Sequence, residues 1–98
     1  MAFELLIDYR AQQDIEEAID HYVSQSQKVA SKLFDTINDA YDSLEMNPFF
    51  QIRYKDYRCL PLKGFPYMFH FSISEAKSIV HIHALINTSK NPITNWLK

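Results

Sequence analysis

The chain has 98 residues, of which 47% are hydrophobic and 14% aromatic, with one glycine and a formal net charge of −2. This composition excludes a disordered or linker-like chain and predicts one domain, residues 1–98, near the lower size at which a core suffices without staples. The charge is polarised: residues 1–47 carry three basic and ten acidic side chains, a net of −7, whereas residues 48–98 carry seven basic and two acidic, a net of +5. The second half can therefore meet an acidic partner although the whole chain is weakly acidic.

Phe3 to Ile7 is a short apolar run that predicts a first strand, with Asp8 placed to cap the next element. A helix is expected from near Arg10, because Ile15, Ala18, Ile19, Tyr22 and Val23 share one face while Asp14, Glu16, Glu17 and Asp20 take the other. Ser24-Gln25-Ser26 supplies a break and a new N-cap. Val29, Ala30, Leu33, Phe34, Ile37, Ala40, Tyr41 and Leu44 then repeat the helical spacing, and Asn47-Pro48 ends it. The two helices form an antiparallel hairpin.

After Pro48 the period changes from 3.6 to 2. Strands are predicted over Tyr57 to Lys63, Tyr67 to Ile73 and Ile79 to Ile86, with turns at Lys63-Gly64-Phe65-Pro66 and around Glu75 and Lys77. Pro61 within the first of these predicts an edge position or a bulge. Ile93, Trp96 and Leu97 form a terminal apolar cluster expected to pack back on the domain.

Alternation divides the last hairpin into two faces. Phe69, Phe71, Ile73, Val80, Ile82, Ala84 and Ile86 make an apolar face that must meet the helices. The other face carries Met68, His70, Ser72, His81, His83, Leu85 and Asn87, and pairing of Ile73 with Val80 places His70 opposite His83. The three histidines are candidates for acid–base work or for metal ligation, and the plain alternative is packing on a partly exposed face; no metal is assigned to them. Arg53, Lys55, Arg58 and Lys63, interleaved with Tyr54 and Tyr57, have the character of a phosphate-contacting surface with stacking rings, or of a solvated strand end, and are expected to share the concave side with the imidazoles. Cys59, the sole cysteine, excludes an internal disulfide and fits a reducing, cytoplasmic compartment. Met1 to Asp8 lacks a basic segment followed by an apolar run, so no signal peptide is expected, and no run approaches the ~20 apolar residues of a membrane span.

Strand, helix hairpin and three-stranded antiparallel meander, in that order, give an α+β fold with the helices on one face of the sheet. With Ala11, Asp14-Ile15, Ile19 and Tyr22, then Leu44-x-x-Asn47-Pro48, Arg58, Tyr67 to Phe71 and Val80-x-Ile82 ahead of Asn87 and Lys90, the chain resembles the RelE/ParE superfamily of toxins from bacterial type II toxin–antitoxin systems. The resemblance implies a cytoplasmic toxin, of the kind linked to plasmid stabilisation, held inactive by a cognate antitoxin in a hetero-complex or dimer, with no cofactor and no membrane partner. It departs from the family pattern at Met68, Asn87 and Ser89-Lys90, where ionisable or basic residues are common. Arg58 and Lys90 alone stand at matching positions for the ribosome-dependent messenger RNA cleavage of RelE, so the catalytic candidates are Arg58, His70, His81, His83 and Lys90, none of them assigned. The ParE branch binds DNA gyrase and needs no catalytic group. A ParE-like binding inhibitor is the preferred reading, with Arg53, Tyr54, Lys55, Tyr57, Arg58, Lys63, Met68 and Asn87 expected to meet target or antitoxin. The alternatives are a RelE-like endoribonuclease and an inactive relative kept as a binding module.

Overall fold

Residues 2–50, the backbone of 52–54, and residues 56–89 are described by the computed structural model. The elements are β1 (Glu4–Ile7), α1 (Tyr9–Val23), α2 (Gln27–Met46), β2 (Ile52–Tyr54), β3 (Tyr57–Pro61), β4 (Tyr67–Ser74) and β5 (Ile79–Asn87). The expected strand, helix hairpin and antiparallel meander are all present, and the sheet has two additions. Ile52–Tyr54, too short to register as an alternating run, forms an extra edge strand. The first strand joins the meander by pairing in parallel with β5, giving a five-stranded mixed sheet in the order β1-β5-β4-β3-β2. The terminal cluster around Trp96 lies outside the described residues.

The helices form where the apolar spacing placed them, with a narrower buried stripe. Ala11, Ile15 and Ala18 of α1 and Ala30, Leu33, Ile37, Ala40 and Leu44 of α2 are buried, whereas Val23, Val29 and Phe34 are exposed. Ser26 caps α2 as its position predicts, its hydroxyl accepting from the Val29 N–H at 3.3 Å. Asp8 does not cap α1: its side chain makes no capping hydrogen bond. At the other end of the hairpin, Asn47 Oδ1 accepts from the Phe49 N–H at 3.3 Å, and Pro48 is fully buried.

One face of the sheet meets the helix pair through Phe69, Phe71, Val80, Ile82 and Leu85, which pack with Leu33, Ile37 and Leu44. Burying each such side chain stabilises the fold by roughly 1.5–3 kcal/mol. The register of β4 and β5 contains the most consequential irregularity. Ile73 pairs with Val80 as expected, but a bulge interrupts the ladder beyond them: Phe71 pairs with Ile82 and His70 with Ala84, so His83 is the inserted residue. His70 is therefore not directly opposite His83. The extra residue also reverses the faces beyond it. Leu85 enters the helix-side core opposite Phe69, while Ala84 and Ile86 turn to the other face and join Cys59 and Met68 in a second buried cluster. The face read as polar is thus buried and apolar at one end and histidine-bearing at the other.

Pro61 ends β3. Because β2 pairs only with Tyr57 and Arg58, Pro61 sits where β3 is locally an edge, and its missing N–H leaves no gap in the ladder. Gly64 takes a φ of +84° in the turn to β4, a conformation open to glycine at little cost.

Candidate functional site

The parallel pairing of β1 and β5 builds a site that the sequence leaves scattered. Ile7 pairs with Ile82, and the Asp8 N–H donates to the Ile82 carbonyl at 2.9 Å, which fixes the Asp8 backbone beside the bulge at His83. Asp8 and Arg10 then line a cleft of about 350 Å³ together with Tyr57, His70, His83 and Ala84. Tyr57 on β3 packs edge-on against His70 (4.5 Å between ring centroids) and His83 (5.4 Å), and His81 stacks on His83 at 4.2 Å. The Asp8 carboxylate lies 3.9 Å from His81 Nε2, and the Ser72 hydroxyl is 2.7 Å from His83 Nε2.

Burial, with His83 and Arg10 nearby, lowers the His70 imidazole to about 4. His83 is lowered as well, by burial and then by His81, against the opposing pull of Asp8. Both rings are therefore neutral at pH 7. A base as weak as His70 is poorly matched to general base work at neutral pH, where a group titrating near the operating pH does best, and neither ring is charged there to act as an imidazolium acid. Neutral imidazoles accept hydrogen bonds and coordinate metals.

The structure brings together Tyr57, His70, His81 and His83 from the residues that the sequence singles out. It separates Arg58 from them. Arg58 pairs with Phe71, a helix-side core residue, so its side chain lies on the opposite face of the sheet; its guanidinium donates to the Phe50 carbonyl and sits 5.5 Å over the Phe49 ring. Met68 is buried in the second apolar cluster and offers no open surface. Lys63 lines a groove of about 710 Å³ between α2 and β3. Asn87 turns its Oδ1 to the Ser89 N–H at 2.9 Å and lines a cleft with Tyr67, Asp14, Glu17 and His21. The side chains of Arg53, Tyr54 and Lys55, and the whole of Lys90, lie outside the described residues. Asp8 and Arg10 are the site residues that sequence reasoning missed. Asp8 has the position of a helix cap, and its other role becomes visible only once β1 is placed alongside β5.

The order of elements and the sheet topology define the fold of the RelE/ParE class of toxins. Among solved structures, the chain is similar to the chromosomal ParDE TA system from P. aeruginosa, with 20% identity over 88% of this chain and 96% of that one and a TM-score of 0.73. It is similar to an arginine double mutant of E. coli toxin RelE in the free state (14% identity, 99% and 95% covered, TM-score 0.60) and to that mutant toxin in complex with an antitoxin RelBc peptide (16% identity, 100% and 97% covered, TM-score 0.52). No family model and no curated sequence matches the chain. At these identities the likeness establishes the fold.

Proposed function

We propose that this chain is the toxin of a bacterial type II toxin–antitoxin pair, acting as a single cytoplasmic domain by binding an essential target in the manner of ParE, with DNA gyrase as the first candidate. The observation that carries the preference for binding over catalysis is the position of Arg58. Of the two cations that the resemblance offers for a scissile phosphate, Arg58 and Lys90, Arg58 is committed to the Phe50 carbonyl on the far side of the sheet from the imidazoles. His70 and His83 are neutral at pH 7, and Arg10 is the one cation lining their cleft among the described residues. Messenger RNA cleavage asks for convergent cationic and acid–base groups at the phosphate. A cognate antitoxin suits the groove between α2 and β3, where Val29, Leu60 and Phe65 supply apolar surface and Lys32 and Lys63 suit an acidic segment.

The test is induced expression in a bacterium with and without the neighbouring reading frame. Growth arrest by the chain alone, relieved by its neighbour, is the expected result. Normal growth in both cases would remove the toxin reading and leave the inactive binding module. Primer extension on translated transcripts separates the two mechanisms. New ends within codons would replace target binding with RelE-like endoribonuclease action.

A further inference from the structure

We propose that Asp8, His81 and His83 form a binding site for a late first-row divalent cation of the zinc class. One ligand atom from each of the three side chains lies within 4.8 Å of the others, which makes them a two-histidine, one-carboxylate set. Backbone pairing sets these three residues beside one another. His81 and His83 are two apart on β5 with stacked rings, and Asp8 is fixed against the same strand by the hydrogen bond from its N–H to the Ile82 carbonyl. The bulge at His83 sets the second ring beside the first.

Metal–nitrogen and metal–oxygen bonds of about 2.0–2.2 Å require ligand atoms closer than they stand here, such as the 3.9 Å between Asp8 and His81. Both side chains are partly exposed, 45% for Asp8 and 39% for His81, so rotation about their side-chain bonds closes the gap without moving the ladder. The same exposure leaves coordination positions open to water. Ser72 completes the second layer. The Ser72 hydroxyl is 2.7 Å from His83 Nε2, and in the tautomer in which its oxygen accepts from Nε2–H the lone pair is on Nδ1, the arrangement by which an outer partner orients a metal-ligating imidazole. Imidazole with carboxylate selects zinc, nickel or copper over magnesium or calcium, which prefer all-oxygen sites. Asp8 and His83 share their cleft with Arg10, so a bound dication would add to the positive charge there and suit an anionic group. The site stands on its own geometry and does not depend on the toxin reading.

Isothermal titration of Zn2+ into the tag-free, chelator-treated full chain tests it, with proton–nitrogen spectra of the imidazoles as a second readout. The expected result is one Zn2+ per chain with shifts at the rings of His81 and His83. Asp8→Asn, nearly isosteric at a half-exposed position, and His81→Ala should each weaken binding at least tenfold, and Ser72→Ala by about tenfold. Circular dichroism checks that each variant is folded. His21→Gln, on α1 outside the cleft, should leave binding unchanged. The proposal is overturned if folded wild-type chain takes up no Zn2+ at millimolar metal. It is equally overturned if binding survives both Asp8→Asn and His81→Ala, or is lost on His21→Gln.

Discussion

The carboxylate of Asp14, on the second turn of α1, accepts a hydrogen bond from the backbone N–H of Leu85 at 3.1 Å, across 71 residues of sequence. Its position explains it. β1 covers the edge of β5 only as far as Ile82, and beyond that point a helix side chain takes the place of a neighbouring strand. The bond also holds the backbone just past the bulge, where Leu85 has to face the helices.

Asp14→Ala should therefore destabilise the fold by about 1–3 kcal/mol, the cost of leaving a partly buried N–H without its charged acceptor. Asp14→Asn keeps an acceptor and should lose less. Urea unfolding gives the energies, and hydrogen exchange at the Leu85 amide should quicken in the alanine variant. An unchanged exchange rate would mean that the bond does not protect this edge.

Two phenylalanines that look alike in the sequence should behave differently. Phe71 is fully buried under the helices, whereas Phe34 on α2 is 54% exposed. Phe71→Ala should cost about 3–5 kcal/mol and Phe34→Ala within about 0.5 kcal/mol. Equal shifts in the denaturation midpoint would contradict the placement of the α2 stripe.

Stability should fall with acid in a window set by His70. Its imidazole is lowered from 6.5 to about 4 in the fold, so between these values the unfolded chain binds more protons. The contribution is complete above about 6.5, declines as pH drops through the window and is gone below about 4. His83, lowered in the same direction, adds to the slope. His70→Gln should flatten the dependence of the urea midpoint on pH, measured with chelator present. A slope identical to wild type would place the titrating group elsewhere.

Arg58 should prove to be a clamp on the segment between α2 and β2. Arg58→Ala removes the bond to the Phe50 carbonyl and the stacking on Phe49, and should cost about 1–3 kcal/mol. Arg58→Lys should recover little, since an ammonium lacks the planar face and the fork of donors. Thermal unfolding and the rate of proteolysis at residues 47–50 measure both. Full stability in Arg58→Ala would return this residue to the candidates for target contact.

The helix hairpin is legible because its signals are local: the 3.6 spacing from Ile15 to Leu44, the Ser26 cap and the stop at Asn47-Pro48. The meander is equally clear from alternation in β4 and β5. What alternation cannot reveal is the bulge, since Ala84, Leu85 and Ile86 are all apolar and either register satisfies the pattern. Strict alternation accordingly assigns these three residues to the wrong faces and keeps Met68 on an open surface. Placing Arg58 among the imidazoles fails because its face is set by pairing with Phe71, a long-range register. The cleft itself is half legible: its histidines, His70 and His83, stand out in β4 and β5, whereas Asp8 and Arg10 reach it through a parallel pairing that leaves no periodic trace.

That pairing also sets an order of events as the protein is made. β1 leaves the ribosome well ahead of its partner β5, Leu5 pairing with Val80, so β1 has no edge to join until β5 has emerged. The helix hairpin can form from local contacts in the meantime. The cluster of Asp8, His81 and His83 draws on both strands and cannot assemble until β5 has joined β1, so a ligand of these three side chains meets them only after the sheet has closed.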